Sequence, residues 1–166
     1  MYLSIYSFFP VLPCFFYGFN GESSEKFYYA FNEKTYLVPK KNTLLVKYTE
    51  STNRQDAEQR LESLSPDAKL NWRNSHVVEI TTPTSESGNK LQSILKVEEN
   101  VYTCQPFYIS EDGLDMGVTD EILVKFLPGV NQEQQDALHE KFKTKIIKTT
   151  RIYQLLRVSK GADALT

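Results

Sequence analysis

The sequence predicts an α+β protein built from two successive β-α-β-β units, of which the second is incomplete. Three observations support this prediction: one apolar strand pattern occurs twice, a second pattern recurs at the same separation, and each copy carries a helical stretch opened by asparagine between the two strands. The chain has 166 residues and is 40% hydrophobic, which suffices for a folded core.

The duplicated strand reads TLLVKY at residues 43–48 and EILVKF at residues 121–126. In both copies every second residue is apolar, as expected for a strand with one buried face. Leu44 and Ile122 are 78 positions apart (122 − 44). Because two distinct strands agree on this separation, we interpret it as a duplication rather than a coincidence.

The second duplicated strand reads HVVEI at residues 76–80 and QLLRV at residues 154–158. Its inward-facing positions correspond at the same separation. They are Val78 and Ile80 in the first copy, and Leu156 and Val158 in the second.

The first unit is preceded by a predicted lead-in hairpin, FYYAFNEKTYLVP, which turns at Asn32-Glu33 and closes at Pro39. Beyond the duplicated strands, four elements complete it: a helix from Asn53 to Leu64, a strand Ala68–Trp72, a helix Asn89–Val97 and a strand Val101–Ile109. This β-α-β-β-α-β order is that of a ferredoxin-like split unit. Its antiparallel sheet buries one face under two helices and leaves the other face open to a partner.

The second unit has a predicted helix Asn131–Phe142, with Ala137, Leu138 and Phe142 towards the core, and a strand Lys145–Thr149. The strict separation aligns His139 with Leu61, so the two helices are expected to be offset by about one residue. The segment GADAL at residues 161–165 has the pattern of a second helix start, but no closing strand follows. We expect a fragment of a longer gene product; a strand from a partner or from the leader would also fill the gap.

The predicted division of the chain is a leader at residues 1–21, a first unit at 26–110, a linker at 111–120 and a truncated second unit at 121–166. The leader is almost wholly apolar, and the first basic residue is Lys26. An export signal with an altered start, a membrane anchor and an apolar strand are all compatible with it, and the export signal is favoured. The expected location is therefore secreted, periplasmic or at the cell surface.

The charge and cysteine content disfavour several classes of partner. The formal net charge is −2, so nucleic acid is not expected as a partner. The basic spots at Lys40-Lys41 and at Lys143, Lys145 and Lys148 are interpreted as solvated faces. Cys14 lies in the leader and Cys104 in a predicted strand, where a small buried side chain is expected.

No residue pattern of the chain indicates catalysis, a cofactor or a metal ion. The sequence lacks a G-x-S-x-G elbow, a P-loop and an HExxH motif. His76, His139 and the pair Glu98-Glu99 are interpreted as surface or boundary residues. Four linker carboxylates allow a calcium interpretation, but their spacing favours a solvated linker; they are Glu111, Asp112, Asp115 and Asp120.

Residues 43–166 resemble the propeptide-type domains that precede subtilisin-like serine proteases, in particular the fervidolysin-like prodomain. The second copy carries the resemblance in its E-x-[IL]-V-K-F strand, the Pro128-Gly129-Val130 turn, the helix, the basic strand, the LLRV strand and the GADAL segment. In the first copy, VYTCQPFYI is similar to the closing strand of that family.

The resemblance implies a non-catalytic module that acts as folding chaperone and inhibitor of a subtilisin-like catalytic domain, in cis or in trans. In that family the open sheet face packs on two protease helices and a C-terminal tail lies in the active-site cleft. The sequence departs from the pattern because the protease domain and the last strand and tail of the second copy are missing. The chain is thus expected to be part of a longer protease precursor. A free-standing extracytoplasmic protein-binding module is the alternative, and a small enzyme the third hypothesis.

Overall fold

The computed structural model describes residues 6–7, 26–30 and 33–162. These residues form an α+β fold with two sheets. The leader residues Pro10, Pro13 and Cys14 and the turn residue Asn32 lie outside the described residues, as does the end of the GADAL segment. The strands are β1 (Tyr6–Ser7), β2 (Lys26–Ala30), β3 (Glu33–Tyr48), β4 (Lys69–Trp72), β5 (Val77–Thr81), β6 (Val101–Ser110), β7 (Asp115–Gly117), β8 (Glu121–Val124), β9 (Lys145–Thr149) and β10 (Gln154–Arg157), and the helices are α1 (Arg54–Leu64), α2 (Ser85–Leu95) and α3 (Gln132–Lys141).

The first sheet has the strand order β4-β5-β3-β6-β7, and each neighbouring pair is antiparallel. One face of this sheet and the helices α1 and α2 enclose the main hydrophobic core. Val46, Val78 and Ile80 are fully buried there, between Leu61 of α1 and Leu95 of α2. The alternation of apolar residues predicted for the duplicated strands is thus confirmed in the first copy.

The helices of the first sheet begin at residues that cap them. The Asn53 side chain accepts a hydrogen bond from the backbone N–H of Gln55, as predicted for the start of α1. Helix α2 begins at Ser85, four residues before the predicted Asn89. Thr84 and Ser87 form a capping box there, so the first helical turn lies in the Ser/Thr-rich segment before Asn89.

The lead-in hairpin is present, because β2 pairs antiparallel with the start of β3 and Ala30 lies opposite Glu33. Pro39 does not end the strand, however. Strand β3 continues to Tyr48, and its register with β6 shifts between Pro39 and Leu44. An irregularity of this kind lets a residue without an N–H group remain inside a long strand.

The face of the first sheet opposite to the helices is not open along its whole width. Leu45, Val77 and Phe107 form a buried cluster on it. A Cβ atom at Gly117 of β7 would lie 2.8 Å from Leu45 Cδ2, so β7 packs directly on this cluster. The expectation of a fully available face is therefore wrong, although Lys69 and Asn71 on the β4–β5 side of this face are exposed.

The second sheet has the order β1-β8-β10-β9, with α3 between β8 and β9 in the chain. Strands β8 and β10 pair antiparallel, as the corresponding β3 and β5 do, but their register differs. Val46 lies opposite Val78, whereas the corresponding Val124 lies opposite Gln154 rather than Leu156. A slip of two residues keeps every side chain on its own face, so the duplication of the pattern survives it.

Helix α3 lacks the buried apolar face that its sequence predicts. Over its full length none of its residues is buried, Ala137 is exposed, and Phe142 beyond its end is 44% exposed. The side of α3 towards the sheet makes polar contacts instead: Gln135 and His139 both hydrogen-bond to Gln154. Because Gln154 is buried, its amide requires these partners, and they take the place of apolar contacts.

Candidate functional site: a charged contact between the two units

Four charged side chains from the two units meet between the two sheets. Lys47 stands near the end of β3 on the face opposite to the helices, beside Val77 of β5. Asp120 immediately precedes β8, Glu121 begins β8, and Arg157 ends β10. Since Glu121 and Arg157 are opposite each other in the β8–β10 ladder, their side chains leave the second sheet on the same face.

Asp120 is the centre of this contact and is fully buried. Its Oδ1 atom lies 2.6 Å from Lys47 Nζ, and its Oδ2 atom lies 3.1 Å from Arg157 Nε. The Arg157 contact is an ion pair without hydrogen-bond geometry. The backbone carbonyl of Asp120 accepts a hydrogen bond from Val158 N at 2.8 Å, which fixes its position beside β10.

Glu121 completes the ion-pair network at its margin. Its Oε1 atom lies 2.9 Å from Arg157 Nη2 and 3.3 Å from Lys47 Nζ. The two cations thus each meet two carboxylates. Arg157 also approaches Glu50 Oε1 at 3.8 Å, where the glutamate is largely exposed.

Tyr102 of β6 supports the charged contact from the first unit. Its ring centroid lies 5.6 Å from Lys47 Nζ and 6.0 Å from Arg157 Cζ, within the range of cation–π attraction. Its hydroxyl donates to the Val158 carbonyl at 3.1 Å, and its own carbonyl accepts from Gly161 N at 3.2 Å. The two units are therefore joined by backbone and side chain at the same place.

The electrostatic environment keeps Glu121 ionised. Its partial burial alone would raise its pKa, but the hydrogen bond from Arg157 and the charge of Lys47 outweigh burial and lower the pKa below its ordinary value. The hydrogen bond to Glu121 raises the pKa of Arg157 in turn. Glu121 and Arg157 thus stabilise each other's charged forms, and the arrangement can fix the orientation of one sheet against the other.

The carboxylates of the predicted linker separate into two environments. Glu111 and Asp112 are exposed, and Asp115 forms an exposed ion pair with Lys40 at 2.7 Å. Asp120 is buried. Strand β7, which begins at Asp115, pairs with β6. The segment is therefore not a uniformly solvated linker. Among the described residues, no group of three or more His, Cys, Asp or Glu side chains is placed to hold a metal ion.

The cysteine and histidines singled out by the sequence occupy structural positions. Cys104 is buried in β6, as predicted, and burial raises the pKa of its thiol to about 12. His76 is half-buried in the bend before β5. His139 of α3 contacts Thr144 Oγ1 at 3.1 Å and Gln154 Oε1 at 3.0 Å, so it ties the helix to β10. Glu98 pairs with Arg60 of α1 at 2.8 Å.

The sequence did not single out Lys47 or Arg157. Each is a charged residue inside an otherwise apolar strand pattern, LLVKY and LLRV, and this is the signal that would have identified them. Nothing local relates them to Asp120, because Lys47 and Asp120 are 73 positions apart. Only the packing of the two sheets brings the three side chains together.

The two edges of the second sheet differ in character. Strand β9 is exposed at all five positions, and Ile146 and Ile147 are 40% and 41% exposed. Strand β8 is covered on its outer side by β1, which pairs with it in parallel.

Within the described ranges, no helix is long and apolar enough to cross a membrane. Compared with known proteins, the chain matches no protein-family model, no curated protein and no solved structure.

Proposed function

We propose that this chain is a non-catalytic, propeptide-like module of tandem ferredoxin-like units that binds the catalytic domain of a subtilisin-like serine protease. In this role it assists folding of the catalytic domain and inhibits it, as part of a longer, exported protease precursor. The observation that carries the proposal is the element order β3-α1-β4-β5-α2-β6 combined with the sheet order β4-β5-β3-β6. This is the arrangement of a split β-α-β-β-α-β unit.

The order of elements in the second unit also supports the proposal. Its elements follow as β8-α3-β9-β10, with β10 between β8 and β9 in the sheet, as β5 lies between β3 and β4 in the first unit. The charged contact at Asp120 fixes the two units against each other, so a partner would meet a preformed surface. A preformed surface lowers the entropic cost of binding.

The exposed part of the helix-free face is the proposed protease contact. Lys69 and Asn71 of β4 are exposed on it, and Glu79 of β5 is half-buried beside them. These three side chains take no part in the ion pairs between the units. This polar strip can therefore meet a partner while the two sheets stay joined.

Inhibition of a subtilisin-like protease by the purified full-length chain tests this proposal. We expect slow-binding inhibition that fades as the chain is digested, and at least tenfold weaker inhibition by Asn71→Arg. Glu62→Arg, on the exposed side of α1, is the matched control and should inhibit like the parent chain. Absence of inhibition by a chain with native circular dichroism would contradict the proposal.

A free-standing extracytoplasmic binding module is the second candidate, because β9 presents an exposed outer strand with apolar and basic side chains. This candidate predicts binding to a protein partner that Ile146→Asp abolishes and Asn71→Arg leaves unchanged. The two candidates thus assign the interaction to different strands.

A further inference from the structure

The outer side of β8 carries a short segment of the chain's own N-terminus. Tyr6 pairs with Leu123 and Ser7 with Val124, in parallel. On its other side β8 pairs with all four residues of β10. In the part of the chain that the structure describes, Tyr6 and Ser7 thus close one edge of the second sheet.

The first unit shows which strand belongs at this edge. In the first unit, β6 pairs antiparallel with β3 and residues 104–106 lie opposite residues 44–46. At the separation of 78 positions, Leu44 corresponds to Ile122, so the equivalent edge of the second unit is the outer side of β8. Strand β1 therefore occupies the place that a ten-residue antiparallel strand occupies in the first unit.

The β1 pairing is weak compared with the strand it replaces. Parallel pairs are slightly less stable per residue than antiparallel pairs, and the described residues of β1 pair in parallel with Leu123 and Val124. An antiparallel strand that paired with all of β8 would bind this edge more tightly. Such a strand would displace β1 if its side chains also fitted the sheet.

The side chains of β8 and β9 favour β8 over β9 as the docking edge. Strand β9 carries Lys145 and Lys148, and edge lysines oppose pairing with a further strand. Strand β8 reads EILV, so Glu121 is its only charged residue. An apolar strand partner therefore fits β8 better than β9.

We propose that the outer edge of β8 is a strand-docking site that β1 occupies in cis, and that its partner is an extended antiparallel segment of alternating apolar residues, like β6. Removal or displacement of the N-terminal segment opens the site. The inference stands on the topology of the second sheet and does not require the partner to belong to a protease.

The test compares two full-length double variants. Tyr6→Pro with Ser7→Pro removes both backbone N–H groups of β1, whereas Tyr6→Ala with Ser7→Ala retains them. The probe is the labelled peptide VYTSQPFYIS, the β6 sequence with serine at the position of Cys104. A scrambled peptide of the same composition is the control. Peptide binding is followed by fluorescence anisotropy and amide exchange by mass spectrometry.

We expect the proline variant to exchange its amides at residues 121–124 at least tenfold faster than the alanine variant, and to bind the peptide at least tenfold more tightly. Bound peptide should restore protection at 121–124 and leave residues 44–47 unchanged. Equal exchange in the two variants would refute closure by β1, and faster exchange without peptide binding would refute the docking site. If the proline variant fails to fold, amide exchange of the parent chain is measured at saturating peptide. Protection at residues 121–124 should then rise, and unchanged protection would refute the docking site.

Discussion

At the scale of single residues, Asp120 is the most informative side chain of the molecule. A fully buried carboxylate is unfavourable unless opposite charges surround it, and Asp120 has Lys47 at 2.6 Å and Arg157 at 3.1 Å. The two cations come from different sheets. The ionic interaction is therefore satisfied only when both units are folded and in contact.

Replacing Asp120 by asparagine should destabilise the chain by about 3 kcal/mol, because it leaves two partly buried cations without their shared carboxylate. Urea unfolding measures the effect. Asp115→Asn is the matched control, since the Lys40–Asp115 distance of 2.7 Å is close to the 2.6 Å of Lys47–Asp120 but the Asp115 side chain is 56% exposed. Asp115→Asn should lower the free energy of unfolding by less than about 1 kcal/mol. Equal losses in the two variants would show that Asp120 is not a central contact.

The lowered pKa of Glu121 predicts a stability that declines in acid. In the unfolded chain Glu121 takes up a proton near its ordinary pKa of 4.5, whereas in the folded chain it does so only at lower pH. The stability from its ion pairs is thus complete above about pH 4.5 and is lost as the pH falls through the folded pKa. Urea midpoints of the parent and Glu121→Gln should differ at pH 7 and converge towards pH 3. A difference that is independent of pH would argue against these ion pairs.

At the scale of the elements, local patterns in the sequence predict most of what is observed. Alternating apolar residues identify the duplicated strands, and Asn53 and Asn131 correctly mark the starts of α1 and α3. These features depend on residues close together in the chain. The start of α2 was misplaced because Thr84 and Ser87 lie in a segment with the composition of a turn.

The remaining errors concern contacts between distant residues. The side of α3 that faces the sheet is polar because Gln135 and His139 hydrogen-bond to the buried Gln154. No local pattern in the sequence relates Gln154 to the helix. The charged contact was missed for the same reason, because Asp120 and its cation Lys47 belong to different units. The packing of distant elements against each other decides these features. The spacing of apolar residues in a single sequence does not report such packing.

Val124 tests whether β8 belongs to a packed second sheet. It is 9% exposed, so Val124→Asp should bury an unpaired carboxylate and unfold β8, β9 and β10. Ile147→Asp is the matched control, because Ile147 is 41% exposed and should tolerate the change within about 0.5 kcal/mol. Amide exchange of the second sheet gives the measurement. An unchanged exchange pattern in the Val124 variant would contradict the strand assignment.

At the scale of the whole molecule, the two sheets have unequal cores. The first encloses a large cluster between its strands and two helices, whereas α3 contributes no buried residue and β9 is exposed throughout. Among the described residues, none of the buried apolar clusters includes a residue of β8, β9 or β10. The stability of the second sheet should therefore depend on the contact with the first unit through Asp120, Arg157 and Tyr102.

This dependence predicts that damage to the first core is transmitted to the second sheet. Leu61 in α1 is 1% exposed, and Leu61→Ala should cost about 3 kcal/mol by leaving a cavity under the first sheet. If the second sheet requires the first, the amides of β10 should lose as much protection as those of β3. Ile152→Ala, at a position 66% exposed, should change neither. Unchanged protection of β10 in the Leu61 variant would mean that the second sheet is stable without the first, and that the charged contact orients two independent units.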